Sequence, residues 1–218
     1  MRKKGLISAL LERSPLPPPP SPMKIPTFVF AALSLTASVP AFAAPGIPAA
    51  AITQKNVKIE KIQPAVVGTP QFTITSTTAK RSPELKWLEI EVEFAVEGVD
   101  MVDELTFKFD ALLNGKLCPG EVTHINIPKG KDRYTIMYVS PRNLERITDG
   151  KPLNPSMITN AWVTILRQGQ VLAVSSMKEK GKPVPNMPLT PGMLSPKADT
   201  PFAPLWTDRY EAVKPGTR

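Results

Sequence analysis

The run Lys86–Gly98, K-W-L-E-I-E-V-E-F-A-V-E-G, constrains the fold more than any other stretch. Leu88, Ile90, Val92, Phe94 and Val96 take every second place, and Glu89, Glu91 and Glu93 sit between them. Side chains alternate between the faces of a strand, so one face is apolar and one carries carboxylates. A helix would scatter the same residues round its circumference. The run reads as a long antiparallel strand with one wet face, whose apolar face needs a partner layer. The glutamates are expected to form a solvated stripe paired to lysines on neighbouring strands.

Similar patterns flank it. Asn56–Ile62 alternates and reads as an edge strand whose lysines discourage further pairing. Gln71–Ser76 is short and β-branched, a second candidate strand, and Ala79–Pro83 turns the chain into the long run. Leu105–Leu113 places Leu105, Phe107, Phe109, Ala111 and Leu113 on one face. Asn114-Gly115 then gives the strongest short hairpin signal. Pro119-Gly120 is expected to interrupt the return strand with a bulge or kink. Pro128–Lys131 reads as a further turn, followed by the strand Arg133–Val139. Ser140-Pro141 supplies an N-cap serine and a first-turn proline for a short helix that carries Leu144 and Ile147 and stops at Asp149-Gly150. Ala161–Arg167 and Gln170–Met177 form a hairpin across Gln168-Gly169. The class is all-β: an immunoglobulin-like antiparallel β-sandwich of seven or eight strands over residues 55–178, with one short helix and an extended Pro-rich C-terminal tail.

The first segment is not fold. Met23–Ala43 has a basic start at Lys24, an apolar run over Phe28–Val39 too short for a comfortable span, and Ala41-Phe42-Ala43 at its end. Residues 1–43 read as a signal peptide cut between Ala43 and Ala44, with Met23 favoured over Met1 as the start. The mature chain then has no transmembrane span, and residues 44–54 form a mobile leader. Five basic side chains and one acid precede residue 44, so half of the net charge of +8 belongs to that segment. Basicity is thus a weak argument for nucleic acid, and none is expected as a partner. No cysteine follows the cut, so a lipid anchor is not indicated. The single cysteine, Cys118, permits no intramolecular disulfide and is expected as a small buried apolar residue.

Beyond residue 178 the composition shifts. Prolines recur at 183, 185, 188, 191, 196, 201 and 204, a spacing that forbids regular structure and favours extended chain. Yet Met193, Leu194, Phe202, Leu205, Trp206 and Tyr210 punctuate this tail, as they would not a pure linker. Either the tail packs on its own domain or it docks on a partner, with Leu205, Trp206 and Tyr210 as anchors.

Chemical motifs are missing: there is no G-x-S-x-G, H-E-x-x-H, Walker loop or usable G-x-G-x-x-G. The chain offers no catalytic, cofactor-binding or metal-ligating set, and the single His124 is expected as an exposed strand residue.

Four stretches carry a resemblance: A-F-A-A-P after the signal, K-W-L-E-I-E-V-E-F at 86–94, M-Y-V-S-P-R-N-L-E-R-I at 137–147 and P-L-W-T-D-R-Y at 204–210. With them the chain resembles the verrucomicrobial (Akkermansia-type) pilus-associated immunoglobulin-like proteins over nearly all of 23–218. The resemblance implies an immunoglobulin-like fold and a place in type IV pilus function at the envelope, in the periplasm or at the cell surface. It brings no catalytic or metal residues. The chain lacks a pilin's long apolar N-terminal helix and prepilin cleavage signal, which points to an accessory component and not the fibre subunit. The expectation is a non-enzymatic exported protein that needs no cofactor and whose partners are other envelope or pilus proteins. A carbohydrate-binding module, which needs a row of exposed aromatics from Trp87, Trp162, Tyr134 and Tyr138, and a sandwich-type periplasmic chaperone are the alternatives.

Overall fold

The structure, a computed structural model, describes residues 52–72, 84–151, 157–178, 181 and 183–216. The cleavage site at Ala43 and Ala44, residues 44–51 of the leader, the Ala79–Pro83 turn and residues 73–76 of the expected second strand lie outside them. Gln71 and Phe72 are in no strand.

Two long strands organise the compact unit Gly46–Arg218. β1 (Val57–Gly68) pairs antiparallel with β2 (Lys86–Leu113), and β2 pairs antiparallel with β3 (Lys116–Val139). The helix α1 (Pro141–Thr148) follows, then the hairpin β4 (Ile158–Arg167) and β5 (Gln170–Ser176), and last the short β6 (Leu194–Pro196). The sheet order is β5-β4-β2-β3-β6, with β1 on β2 beside it.

The alternation at 86–98 is the first half of β2, and Leu105–Leu113 is its second half. The ladder with β3 breaks between Val96 and Met101, where the strand bends. Gly98 makes the bend possible: its φ is +75°, and a Cβ there would sit 2.9 Å from the Asn56 amide that donates to the Glu97 carbonyl. β3 bends opposite, with Asn126 and Asp132 at positive φ. The Pro128–Lys131 segment is therefore a bend inside one strand and not a hairpin turn.

Bending brings the two halves face to face in an all-β, sandwich-like fold. One half is β1, β2 over 86–96, β3 over 130–139 and β6; the other is β5, β4, β2 over 106–113 and β3 over 116–125. Phe94 and Phe107, from the two halves of β2, meet at 4.8 Å in the core. Leu88, Ile90, Val92, Val96, Leu105, Phe109 and Ala111 are buried with them. Counted by half-strands the fold has eight segments, in the number expected, but only six continuous strands among the described residues. On either side of such a bend the periodicity is that of two separate strands.

Local signals hold at the hairpins and the helix. Asn114-Gly115 and Gln168-Gly169 both turn with positive φ at each residue. The Ser140 side chain accepts from the Asn143 N–H at 3.2 Å, and Leu144 and Ile147 are buried beneath α1. Pro119-Gly120 makes no bulge: Asp110 pairs with Pro119 and Phe109 with Gly120 in unbroken register. The glycine serves clearance instead. A Cβ at 120 would lie 2.7 Å from both Leu194 Cβ and Met137 Cε. Ile52 is buried in the main core, so the packed body reaches ahead of residue 55.

Candidate functional site at the C-terminal strap

The bent sheet leaves β3 as an edge along its whole length, and the proline-rich tail covers it. Thr190 N donates to the Leu117 carbonyl at 2.7 Å, and Lys214 N to the Thr123 carbonyl at 2.8 Å. Ile125 N donates back to Ala212 at 3.0 Å. On the other half β6 pairs with Met137–Val139, and Tyr210 bridges Tyr134. The tail is thus not free of regular structure. It holds a strand and a 3₁₀ turn at Lys197–Asp199, and it stitches the two halves together along one side of the sandwich. The boundary expected at residue 178 separates no second body.

Over the outer face the tail buries rings. Trp87, Ile136, Tyr138 and Phe202 form a second apolar cluster, with Val67, Leu205 and Tyr210 packed against it. Phe202 stacks on Tyr138 at 4.5 Å with planes 3° apart and meets Trp87 edge-on at 5.5 Å. The Trp87 indole N–H donates to Thr69 Oγ1 at 3.1 Å. Tyr138 is fully buried opposite Glu89, and burial followed by the charge of Glu89 drives its pKa upward.

The glutamate stripe is consequently not a solvated one. Glu91 is half-buried and clasps the tail: Arg209 Nε and Nη2 donate to it at 3.1 and 2.8 Å, and the Tyr210 hydroxyl at 2.6 Å. Burial pushes the Glu91 carboxyl up, but the hydrogen bonds from Arg209 and Tyr210 outweigh it and hold the pKa below the usual range. The Arg209 guanidinium also lies 3.8 Å over the Tyr134 ring. Glu89, next along the stripe, is raised by burial and then by Glu91. Only Glu93 faces a lysine of the neighbouring strand, Lys61.

Where the tail crosses between the halves, His124 is buried and not exposed. The Glu211 carbonyl accepts from Nδ1 at 2.9 Å, so Nε2 is the acceptor for the Thr135 hydroxyl at 2.7 Å. Burial lowers its pKa to about 4, leaving a neutral ring with both nitrogens engaged. Beside it is a cavity of about 290 Å³ lined by Val122, Ile136, Lys197, Tyr210 and Val213. Cys118 is fully buried, as expected, and burial raises its thiol to about 11. Among the described residues no group of three His, Cys, Asp or Glu side chains is placed to hold a metal ion. No described helix is long and apolar enough to cross a membrane.

The three anchor residues expected in the tail fall in different places. Leu205 is half-buried against the ring cluster, and Tyr210 is spent on Glu91. Trp206 remains 48% exposed at the surface end of a ring column, stacked on Phe202 at 6.4 Å. Its φ is +51°, a left-handed backbone that a bulky residue rarely adopts. The aromatics expected as a possible sugar-binding row do not form one: Trp87, Trp162 and Tyr138 are buried, and Tyr134 lies under Arg209. Sequence reading missed the roles of Glu91, Arg209 and Phe202. The signal available was a carboxylate stripe with too few lysines opposite it.

Comparison with known proteins agrees with this architecture. A protein-family model matches residues 48–217, strap included. A crystal structure of a protein from Akkermansia muciniphila is 26% identical, with a TM-score of 0.63, and the match covers 73% of this chain and 93% of that one. No curated protein matches.

Proposed function

Since the chain belongs to the Akkermansia-type pilus-associated family matched over residues 48–217, we propose that it is an exported, non-enzymatic accessory component of type IV pilus assembly or adhesion. An envelope or surface location follows from the family. The protein acts through protein–protein contacts, and the observation that carries this is Trp206. A tryptophan half in water, held in a left-handed backbone and backed by Phe202 and Tyr138, is a rigid aromatic anchor. Strain of this kind persists only where the surroundings impose it, and here it turns an apolar ring outward.

The test uses a point variant. Truncation at residue 182 would strip β6 and the clasp from the sheet, so loss of binding would report unfolding. Tagged wild type and Trp206→Ala are instead cross-linked mildly in the native host and the captured proteins identified. Pilus components recovered with wild type and depleted at least tenfold with Trp206→Ala are the expected result. Equal recovery moves the contact away from the strap, and recovery of no pilus component overturns the accessory role.

A further inference from the structure

We propose that the outer edge of β5 pairs antiparallel with β5 of a second copy, joining two half-sheets across a two-fold axis. A strand edge presents a row of backbone donors and acceptors, and folded proteins blunt it with charge, proline or a cover. The edges of this sandwich divide on that criterion. β3 is covered by the tail. β6 is three residues long and ends in Pro196. β1 carries Lys58, Glu60, Lys61 and Pro64. β5, Q-V-L-A-V-S-S, has no charge and no proline. Among the described residues β4 is the one strand that pairs with it.

The side chains on that edge favour a copy of itself. The ladder with β4 passes from Ala173–Ile165 to Val171–Leu166, so Leu172 is the extra residue and is buried in the core. Val171 and Val174 therefore point to the same outer face, exposed at 41% and 57%. A two-fold axis between Leu172 and Ala173 sets each Val171 opposite the second copy's Val174. Facing residues in an antiparallel pair share a side, so two β-branched contacts form at once. No charged residue of β5 opposes another in this register, whereas β1 paired with itself would confront lysines and glutamates. One outer group is already in use: Gln54 Nε2 donates to the Val171 carbonyl at 3.4 Å, a long bond from an exposed side chain that a strand N–H can replace.

Sedimentation velocity of the chain from Ala44, which keeps the whole compact unit, tests this. The expected result is a concentration-dependent rise to twice the monomer mass, abolished by Val174→Lys and by Val171→Lys. Val66→Lys, at an exposed valine on β1, leaves the rise intact. Both β5 positions are exposed, so the lysines fold, which an unchanged circular dichroism melt verifies. A wild type still monomeric at about 0.5 mM, where even a millimolar Kd shows, overturns the pairing. So does a dimer that survives both β5 lysines, or one that Val66→Lys dissolves equally.

Discussion

Phe202→Ala separates a structural strap from a linker. Phe202 is buried, stacked on Tyr138 at 4.5 Å and edge-on to Trp87 at 5.5 Å. Truncating a buried phenylalanine removes its transfer free energy and leaves a cavity, a loss of about 3–5 kcal/mol. Substitution in a solvated linker moves stability by less than about 0.5 kcal/mol. The two ranges do not overlap. A strap that undocked by itself would cap the loss at its own docking free energy. Here it bonds to Leu117, Thr123 and Tyr134, on both halves of β3, so undocking opens the sandwich seam and the loss is global. The assay is urea unfolding followed by tryptophan fluorescence, with Trp87 and Trp206 reporting from either side of the ring. The midpoint should fall with the slope unchanged, and the melting temperature should drop by roughly 10 °C for a unit of this size. A loss below about 1 kcal/mol at constant slope, with only strap amides exchanging faster, would refute the reasoning.

Gly120→Ala should destabilise by about 1–3 kcal/mol although alanine suits strands better, because its Cβ meets Leu194 Cβ at 2.7 Å and must push β6 off β3; thermal melts check it. Acid should weaken the fold from pH 6.5 downward. The folded His124 pKa of about 4 lies below the unfolded value, so the unfolded chain takes up the proton first and stability falls until both forms are charged. Glu91, also depressed, adds a loss near the carboxylate range, while the raised Glu89, Asp110 and Glu211 act in the opposite sense. His124→Gln should flatten the slope between pH 6.5 and 4 in urea titrations taken at each pH.

The long strand, both tight hairpins and the capped helix were legible because each rests on a local rule. Period two needs only five alternating residues, and Asn114-Gly115 only two left-handed ones. The bends at Val96–Met101 and in β3 read as breaks between separate strands, with Pro128–Lys131 as a turn, since a bent strand shows on either side of its bend the pattern that two strands would. His124 was misplaced for a related reason. Its exposure depends on which side of β3 the strap closes, and the strap lies 87 residues on in sequence at Glu211. At the candidate site the apolar tail residues announced packing or docking, and the structure divides them: Phe202 is packed, Trp206 is exposed. That division follows from the left-handed turn at Trp206, which no spacing rule anticipates.

The prolines of the tail acquire a reason from the sheet they border. A strand laid on an edge covers it but creates a new edge of its own. A proline cannot donate to a further ladder, so a proline-rich cover stops the sheet where it lies. Pro196 does this for β6, and Pro188 and Pro191 flank the Leu189 bridge to β3 in the same manner. The same composition that argues against regular structure in isolation therefore suits a strap whose hydrogen bonds point one way only, inward to β3. β1 reaches the same end by charge. A chain that protects three of its edges by such different means leaves β5 uncharged with two valines outward, and that is the edge the proposed pairing between copies would cover.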